Sequence, residues 1–116
     1  RILEEGIKIF PKDHSLMQAA GKLQERVGNF TKARHFYGAS LSILPSAPTL
    51  VAYAMIELRH PEGKHCNFTK ISTLFEEALL LDPRHGPVYN AYGNMELNRG
   101  NVERARQIFQ SGVYAH

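Results

Sequence analysis

The stretch GNMELNRGNVERARQIFQSG, from Gly93 to Gly112, contains two helical patterns joined by a short break. In its second half, apolar residues recur at the three- and four-residue spacing of an amphipathic helix. These residues are Val102, Ala105, Ile108, Phe109 and Val113. The break is Gly100-Asn101, because glycine favours the left-handed conformation that ends a helix and asparagine is a preferred N-cap. The stretch therefore predicts a helical hairpin.

The second half of this pattern occurs twice more, and the copies align without gaps. They are GNFTKARHFYGASLSILP (residues 28–45) and CNFTKISTLFEEALLLDP (residues 66–83). The aligned sets are Asn29, Asn67 and Asn101; Ala33, Ile71 and Ala105; Tyr37, Phe75 and Phe109; and Leu41, Leu79 and Val113. A truncated copy, RILEEGIKIFP, opens the sequence. Pro11 to Pro45 spans 34 residues and Pro45 to Pro83 spans 38, a period typical of stacked helical hairpins.

We therefore expect an all-α fold, a right-handed α-α superhelix built as a solenoid of antiparallel helix pairs. Residues 1–12 are predicted to form the second helix of a truncated repeat. Three repeats follow at 13–45, 46–83 and 84–116, and the second carries a loop insertion at 60–67. Neither end shows the polar capping helix that a solenoid normally needs, so we expect a fragment of a longer array.

The hairpin resembles the tetratricopeptide repeat (TPR), and more closely its HAT (half-a-TPR) variant. The resemblance rests on Glu96, Gly100-Asn101, Ala105-Arg106 and Ile108-Phe109, matched in the first repeat by Gln24, Gly28-Asn29, Ala33-Arg34 and Phe36-Tyr37. A standard TPR usually has an aromatic residue where Glu96, Glu57 and Gln24 stand. The sequence departs from both families in having no Trp early in the first helices, and the middle repeat has Ile71-Ser72 instead of Ala-Arg.

Composition sets few limits on function. The chain is 43% hydrophobic and 22% charged, close to the globular average. No apolar run approaches the ~20 residues that span a bilayer, so we expect no membrane insertion. The single cysteine, Cys66, favours an intracellular reducing compartment. The resemblance to HAT-repeat factors adds the chloroplast or the nucleus as candidate compartments. The net charge of +3 is concentrated between His14 and Leu44, a weak indication of an anionic partner or an ordinary solvated face.

The sequence shows no catalytic constellation, no phosphate-binding glycine loop and no convincing metal site. His60, His65 and Cys66 in the 60–67 loop are candidate metal ligands, but a structural site needs four ligands and a surface insertion explains the loop better. We therefore expect neither enzymatic activity nor a metal or cofactor.

Small residues at equivalent places in the first helices, Gly21, Ala54 and Gly93, predict close helix packing. Leu23, Ile56 and Met95, together with Tyr37, Phe75 and Phe109, are predicted core residues. The antiparallel geometry also predicts a Glu96–Arg106 ion pair in one hairpin and a Gln24–Arg34 hydrogen bond in another, while Glu57 faces Ser72 and has no such partner.

A stripe of residues on the first helices is the candidate binding surface. In solenoids of helical hairpins the first helices line the concave groove, and residues four apart share one helix face. We call these nine residues the groove stripe: Gln18, Lys22 and Arg26; Val51, Met55 and Arg59; Asn90, Asn94 and Asn98. Asparagine is a poor helix former, so three of them at four-residue spacing on one helix need an explanation. They form either a binding surface or an ordinary solvated face.

Two functions follow from this surface. Proteins that resemble HAT repeats are largely RNA-processing factors, and LQERVGNFTKARHFYGASLSI (residues 23–43) is most similar to chloroplast factors that stabilise transcripts. In that interpretation the stripe's cations hold phosphates of single-stranded RNA and its amides contact bases. In the alternative, the groove belongs to a scaffold and binds a helix or extended peptide of a partner protein, with Val51 and Met55 as its apolar floor. The oligomeric state cannot be predicted from these patterns.

Overall fold

The computed structural model describes residues 13–63 and 65–115, which form six α-helices and no strand. The helices are α1 (His14–Arg26), α2 (Phe30–Ile43), α3 (Ala47–Arg59), α4 (Phe68–Leu81), α5 (Gly86–Asn98) and α6 (Val102–Ala115). The helix predicted for residues 1–12 lies outside the described residues. The unit boundaries at 45–46 and 83–84 stay sequence predictions.

The helix ends follow the signals in the sequence. The side chains of Asn29 and Asn67 accept hydrogen bonds from the backbone N–H of the third residue beyond each, at 3.2 and 3.1 Å. These contacts cap α2 and α4, as predicted. Gly28 and Gly100 have φ of 86° and 85°, the left-handed conformation that closes α1 and α5. A proline stands in the first turn of both α3 and α5, where its missing N–H costs nothing.

The helices pack in sequential pairs, and the pairs stack. Contacts are most extensive within α1–α2, α3–α4 and α5–α6, and the pairs are joined through α2–α3 and α4–α5. The first helices α3 and α5 also contact each other directly. This arrangement is an all-α helical-repeat solenoid, which confirms the predicted fold class.

Small residues let the paired helices approach each other. A Cβ on Gly21 would lie 2.7 Å from Cδ1 of Tyr37, and a Cβ on Gly93 would lie 2.6 Å from Cζ of Phe109. Ala54, at the equivalent place in α3, is fully buried. The prediction that these positions pack closely is confirmed, because a side chain on either glycine would overlap the aromatic ring of the second helix.

The interior forms along the boundaries between helix pairs. Tyr37, Phe75 and Ile56 are almost fully buried, as predicted for the core. Leu23 and Phe109, which the sequence also assigns to the core, are only half-buried. For Phe109 the reason is its position on α6, which has no following helix pair among the described residues to cover it.

Candidate functional site

The aligned arginines of the second helices contact other elements than predicted. Arg34 donates from Nε to Oε1 of Glu57 at 2.8 Å, and its Nη2 donates to the carbonyl oxygen of His60. Oε1 of Glu62 lies 3.4 Å from the same Nε. The predicted Gln24–Arg34 hydrogen bond is therefore wrong, because Arg34 faces the following hairpin and not its own. Arg34 thus joins two repeats.

The carboxylate of Glu57 has two cationic neighbours. Besides Arg34, the ammonium of Lys70 lies 3.6 Å from its Oε1 and also donates to the hydroxyl of Tyr53 at 3.3 Å. Partial burial lowers the pKa of Lys70, but the hydrogen bonds to Tyr53 and Glu57 outweigh that effect and the net change is a raised pKa. The sequence predicts no arginine partner for Glu57 within its own hairpin, and the structure pairs it with Arg34 of the preceding one, so Glu57 is the acceptor at a contact between repeats.

Glu96 and Arg106 do not meet. Glu96 is buried and accepts from Nη1 of Arg99 at 3.0 Å and from Nδ2 of Asn101 at 2.8 Å, so it ties together the turn that ends α5. Arg106 is exposed and pairs at 3.1 Å with Glu103 on its own helix. The predicted Glu96–Arg106 pair is therefore wrong. The hairpin is closed by Glu96 contacts within the turn, and Arg106 takes no part in them.

His60, the first residue of the 60–67 loop, packs against the preceding repeat. The ring of His60 stacks on Phe30 of α2 with centroids 3.7 Å apart, and Cys66 donates from Sγ to the carbonyl of Leu58 at 3.3 Å. Among the described residues no group of three or more His, Cys, Asp or Glu side chains is arranged to hold a metal ion. The first residues of this loop therefore belong to the interface between repeats.

The groove stripe lies on α1, α3 and α5, three residues to a helix. Six of its members are exposed: Lys22, Arg26, Arg59, Asn90, Asn94 and Asn98. Gln18 is half-buried, and so are Val51 and Met55, which pack on the core. Within the described part of the chain, none of the seven polar members takes part in a side-chain hydrogen bond or ion pair. Among residues 13–63 and 65–115, no side-chain contact therefore occupies the polar groups of the stripe.

Two of the stripe's cations also suit their own helices. Arg26 and Arg59 stand in the last turns of α1 and α3, where a positive charge is favourable beside the negative end of the helix dipole. This local role accounts for arginine at those two places without a ligand. The three asparagines of α5 have no such explanation, because asparagine inside a helix is unfavourable and all three side chains are exposed.

The structure reveals a second surface, which includes Phe109, a residue that the sequence assigns to the core. Val102 and Val113 on α6 are 52% and 73% exposed, and Leu97 at the end of α5 is 46% exposed. With Phe109 they line an open groove of about 330 Å³. Sequence periodicity places Val102, Phe109 and Val113 on one apolar helix face, and only the stacking order of the hairpins reveals that no other described element covers it.

Comparison with known families agrees with this architecture. A tetratricopeptide-repeat family profile matches residues 74–107, from within α4 through α5 into α6. A search of curated proteins finds no significant match to the chain. The six stacked helices and the profile match together support a TPR-like helical-repeat protein. No helix in residues 13–63 or 65–115 is long and apolar enough to cross a membrane.

Proposed function

We propose that the protein is an interaction scaffold that binds an extended segment of a partner protein along the groove stripe. The observation that carries this proposal is the contrast between polar residues on the repeats. Glu57, Glu96 and Arg34 are held in internal contacts, whereas the polar stripe residues are without internal partners in the described structure. Direct contact between α3 and α5 supports a continuous inner surface formed by first helices.

The chemistry of the stripe favours a peptide. An extended peptide presents unpaired backbone N–H and C=O groups, and the asparagine side chain carries both a donor and an acceptor that match them. Asn90, Asn94 and Asn98 offer three such groups along α5. Val51 and Met55 on α3 provide partly exposed apolar surface. Lys22, Arg26 and Arg59 add positive charge, so the preferred segment carries an acidic residue next to an apolar one.

Peptide selection tests this proposal. A random twelve-residue peptide library is selected on the immobilised protein, and the enriched peptides are measured against the triple variant Asn90→Ala, Asn94→Ala, Asn98→Ala. Alanine is the better helix former, so the variant keeps its fold. Loss of three hydrogen-bonding side chains is expected to weaken binding at least about tenfold. The matched control is Thr69→Ala, Thr73→Ala, Glu77→Ala, an exposed stripe with the same spacing on α4. Equal binding to both triple variants contradicts the proposal.

Single-stranded RNA is the second candidate, in line with the HAT-like features of the sequence and its similarity to organellar transcript-stabilising factors. The observation in its favour is that Lys22, Arg26 and Arg59 are exposed and form no ion pair in the described structure. If these cations hold RNA, its affinity should fall as salt is added, with a slope of about 0.7 per phosphate contact in a plot of log affinity against log salt concentration. An electrophoretic shift with a single-stranded RNA at low salt, compared between wild type and Lys22→Ala/Arg26→Ala, tests it. Absence of a shift removes RNA and leaves the peptide scaffold.

A further inference from the structure

One position in the first turn of the second helices carries a hydroxyl in two copies and an acid in the third. It is the second residue after the aligned asparagine: Thr31 in α2, Thr69 in α4 and Glu103 in α6. All three side chains are exposed. Among the hydrogen bonds of the described residues, none involves the hydroxyl of Thr31. A negative group suits this place, because the unpaired N–H groups and the positive end of the helix dipole lie there.

The acid of α6 shows what a negative group at this position contacts. Oε2 of Glu103 lies 3.1 Å from Nη1 of Arg106, three residues along the same helix. Residues three apart are neighbours on any helix, so this contact needs no other element. The residue three after Thr31 is Arg34. A negative charge added to Thr31 would therefore stand within reach of the Arg34 guanidinium.

The Arg34 guanidinium already joins the first two repeats. Its Nε donates to Oε1 of Glu57 at 2.8 Å, and the Arg34 side chain is only 11% exposed. The carbonyl oxygen of His60 accepts from Nη2 of the same side chain. A negative group on Thr31 and the carboxylate of Glu57 would thus compete for one cation.

A phosphate on Thr31 is the stronger competitor. It carries a charge of about −2 near neutral pH and three acceptor oxygens, against one negative charge on a carboxylate. The Glu57 carboxylate also keeps a second cation, since the ammonium of Lys70 lies 3.6 Å from its Oε1. Glu62 stands 3.4 Å from Nε of Arg34, so the added negative charge would meet acids on both sides of the guanidinium. Their mutual repulsion favours moving the guanidinium toward the phosphate.

We propose that Thr31 is a phosphorylation site, and that its phosphate turns Arg34 away from Glu57 and loosens the contact between the first two repeats. A protein kinase supplies the group from ATP. A bond forms between Oγ1 and the γ-phosphorus, the bond from that phosphorus to ADP breaks, and the hydroxyl proton passes to the kinase. Arg26, Lys32 and Arg34 lie within five residues of the threonine, a basic sequence that suits a kinase selecting positively charged substrates. The proposal concerns a contact between repeats and does not depend on the function of the groove stripe.

Phosphate transfer to the folded protein is the first test. The protein and a synthetic peptide of residues 26–36 are incubated with ATP and a panel of basophilic kinases, and the products are mapped by tandem mass spectrometry. We expect phosphate on Thr31 in both, and loss of that product in the Thr31→Ala protein. Modification of the peptide alone would show that the folded site is inaccessible and overturn the proposal. Modification of neither would overturn it as well.

The response of Arg34 is the second test, made on protein with phosphothreonine introduced at position 31 during translation. In the unmodified protein the Nε–H of Arg34 should exchange slowly with water, because Glu57 accepts its hydrogen bond. Phosphorylation should speed this exchange at least about tenfold, measured in ¹H–¹⁵N spectra. The matched control carries phosphothreonine at position 69, where the residue three further on is Ser72. It should leave the Arg34 signal unchanged.

The coupling between the repeats gives an independent measure. Glu57→Gln should lower the urea midpoint of the unmodified protein, and by about half as much or less once Thr31 is phosphorylated, because Arg34 no longer depends on Glu57. An Arg34 Nε–H that stays protected would overturn the switch. Equal acceleration by phosphate at positions 31 and 69 would reduce it to a general charge effect and overturn it too. An unchanged loss of midpoint on Glu57→Gln would contradict the loosened contact.

Discussion

Nε of Arg34 lies 2.8 Å from Oε1 of Glu57, on the first helix of the next hairpin. Their side chains are 11% and 9% exposed, so the pair is largely withdrawn from water. The carbonyl of His60 accepts a further bond from the same guanidinium. One side chain therefore fixes how two consecutive repeats lie against each other.

Removing the charge of Glu57 should destabilise the fold because the Arg34 guanidinium and the Lys70 ammonium lose the negative charge that lies between them. We expect Glu57→Gln to lower the free energy of unfolding by about 2 kcal/mol, measured by urea denaturation. The control is Glu103→Gln, which breaks the Arg106 pair on α6. The two side chains of that pair are 60% and 73% exposed, and its loss should cost less than about 1 kcal/mol. Equal costs would contradict a special role for Arg34 and Glu57.

Two glycines in helices should respond to alanine in opposite directions. The Cβ of Gly93→Ala would lie 2.6 Å from Cζ of Phe109, so the substitution should cost about 1–3 kcal/mol. A Cβ on Gly38, within α2, would have no neighbouring atom within 4 Å, and Gly38→Ala should stabilise by about 0.5–1 kcal/mol. Thermal unfolding of the two variants shows whether each substitution stabilises or destabilises the protein. Stabilisation by Gly93→Ala would show that the helices can move apart freely.

Tyr37 makes the stability of the protein depend on pH in the alkaline range. Burial first, and then the Glu25 carboxylate that accepts its hydroxyl at 2.8 Å, raise the pKa of Tyr37 well above its usual value. A group whose pKa rises on folding contributes stability that is complete below the unfolded pKa, about 10, and is lost as the pH rises above it.

Tyr37→Phe should therefore destabilise the protein by about 1 kcal/mol near neutral pH. At about pH 11 that cost should shrink by about 1 kcal/mol, because the unfolded wild type gains from ionising the phenol. Urea denaturation at the two pH values measures both numbers. Tyr114→Phe is the control, since Tyr114 is 86% exposed and should show no such change. A cost for Tyr37→Phe that stays constant with pH would refute this account.

Asn29 stands in the sequon Asn29-Phe30-Thr31 but caps α2 with its side chain. Asn29→Ala should therefore lower stability by about 1 kcal/mol in unmodified protein. Thr31→Ala destroys the same sequon and leaves the cap intact, so it should be close to neutral. Circular dichroism during thermal unfolding distinguishes the two. Equal losses would mean that the cap contributes nothing.

The helices could be predicted from the sequence because their signals are local. Prolines, glycines and capping asparagines mark the ends, and most helices of the structure begin or end within two residues of them. The pairings of Arg34 and Arg106 could not be predicted in this way. Sequence spacing shows that Gln24 and Arg34 belong to one hairpin, but the direction of the arginine depends on the angle at which the next hairpin stacks.

The two exposed surfaces also differ in how far the sequence predicts them. The exposure of Lys22, Asn94 and Asn98 follows from helical periodicity counted from a small buried residue, and the structure agrees with it. The exposure of Val102 and Val113 contradicts their apolar character. Their burial requires a neighbour from outside the hairpin, and no pattern within a hairpin records whether that neighbour is present.

The extra residues of the middle repeat come after His60, whose ring stacks on α2. Gly63 lies among them, with open space around it. Residues added at this point lengthen the turn and leave the contact between the two hairpins unchanged. A fluorophore or an epitope tag placed at Gly63 would therefore report on the protein from outside the groove stripe.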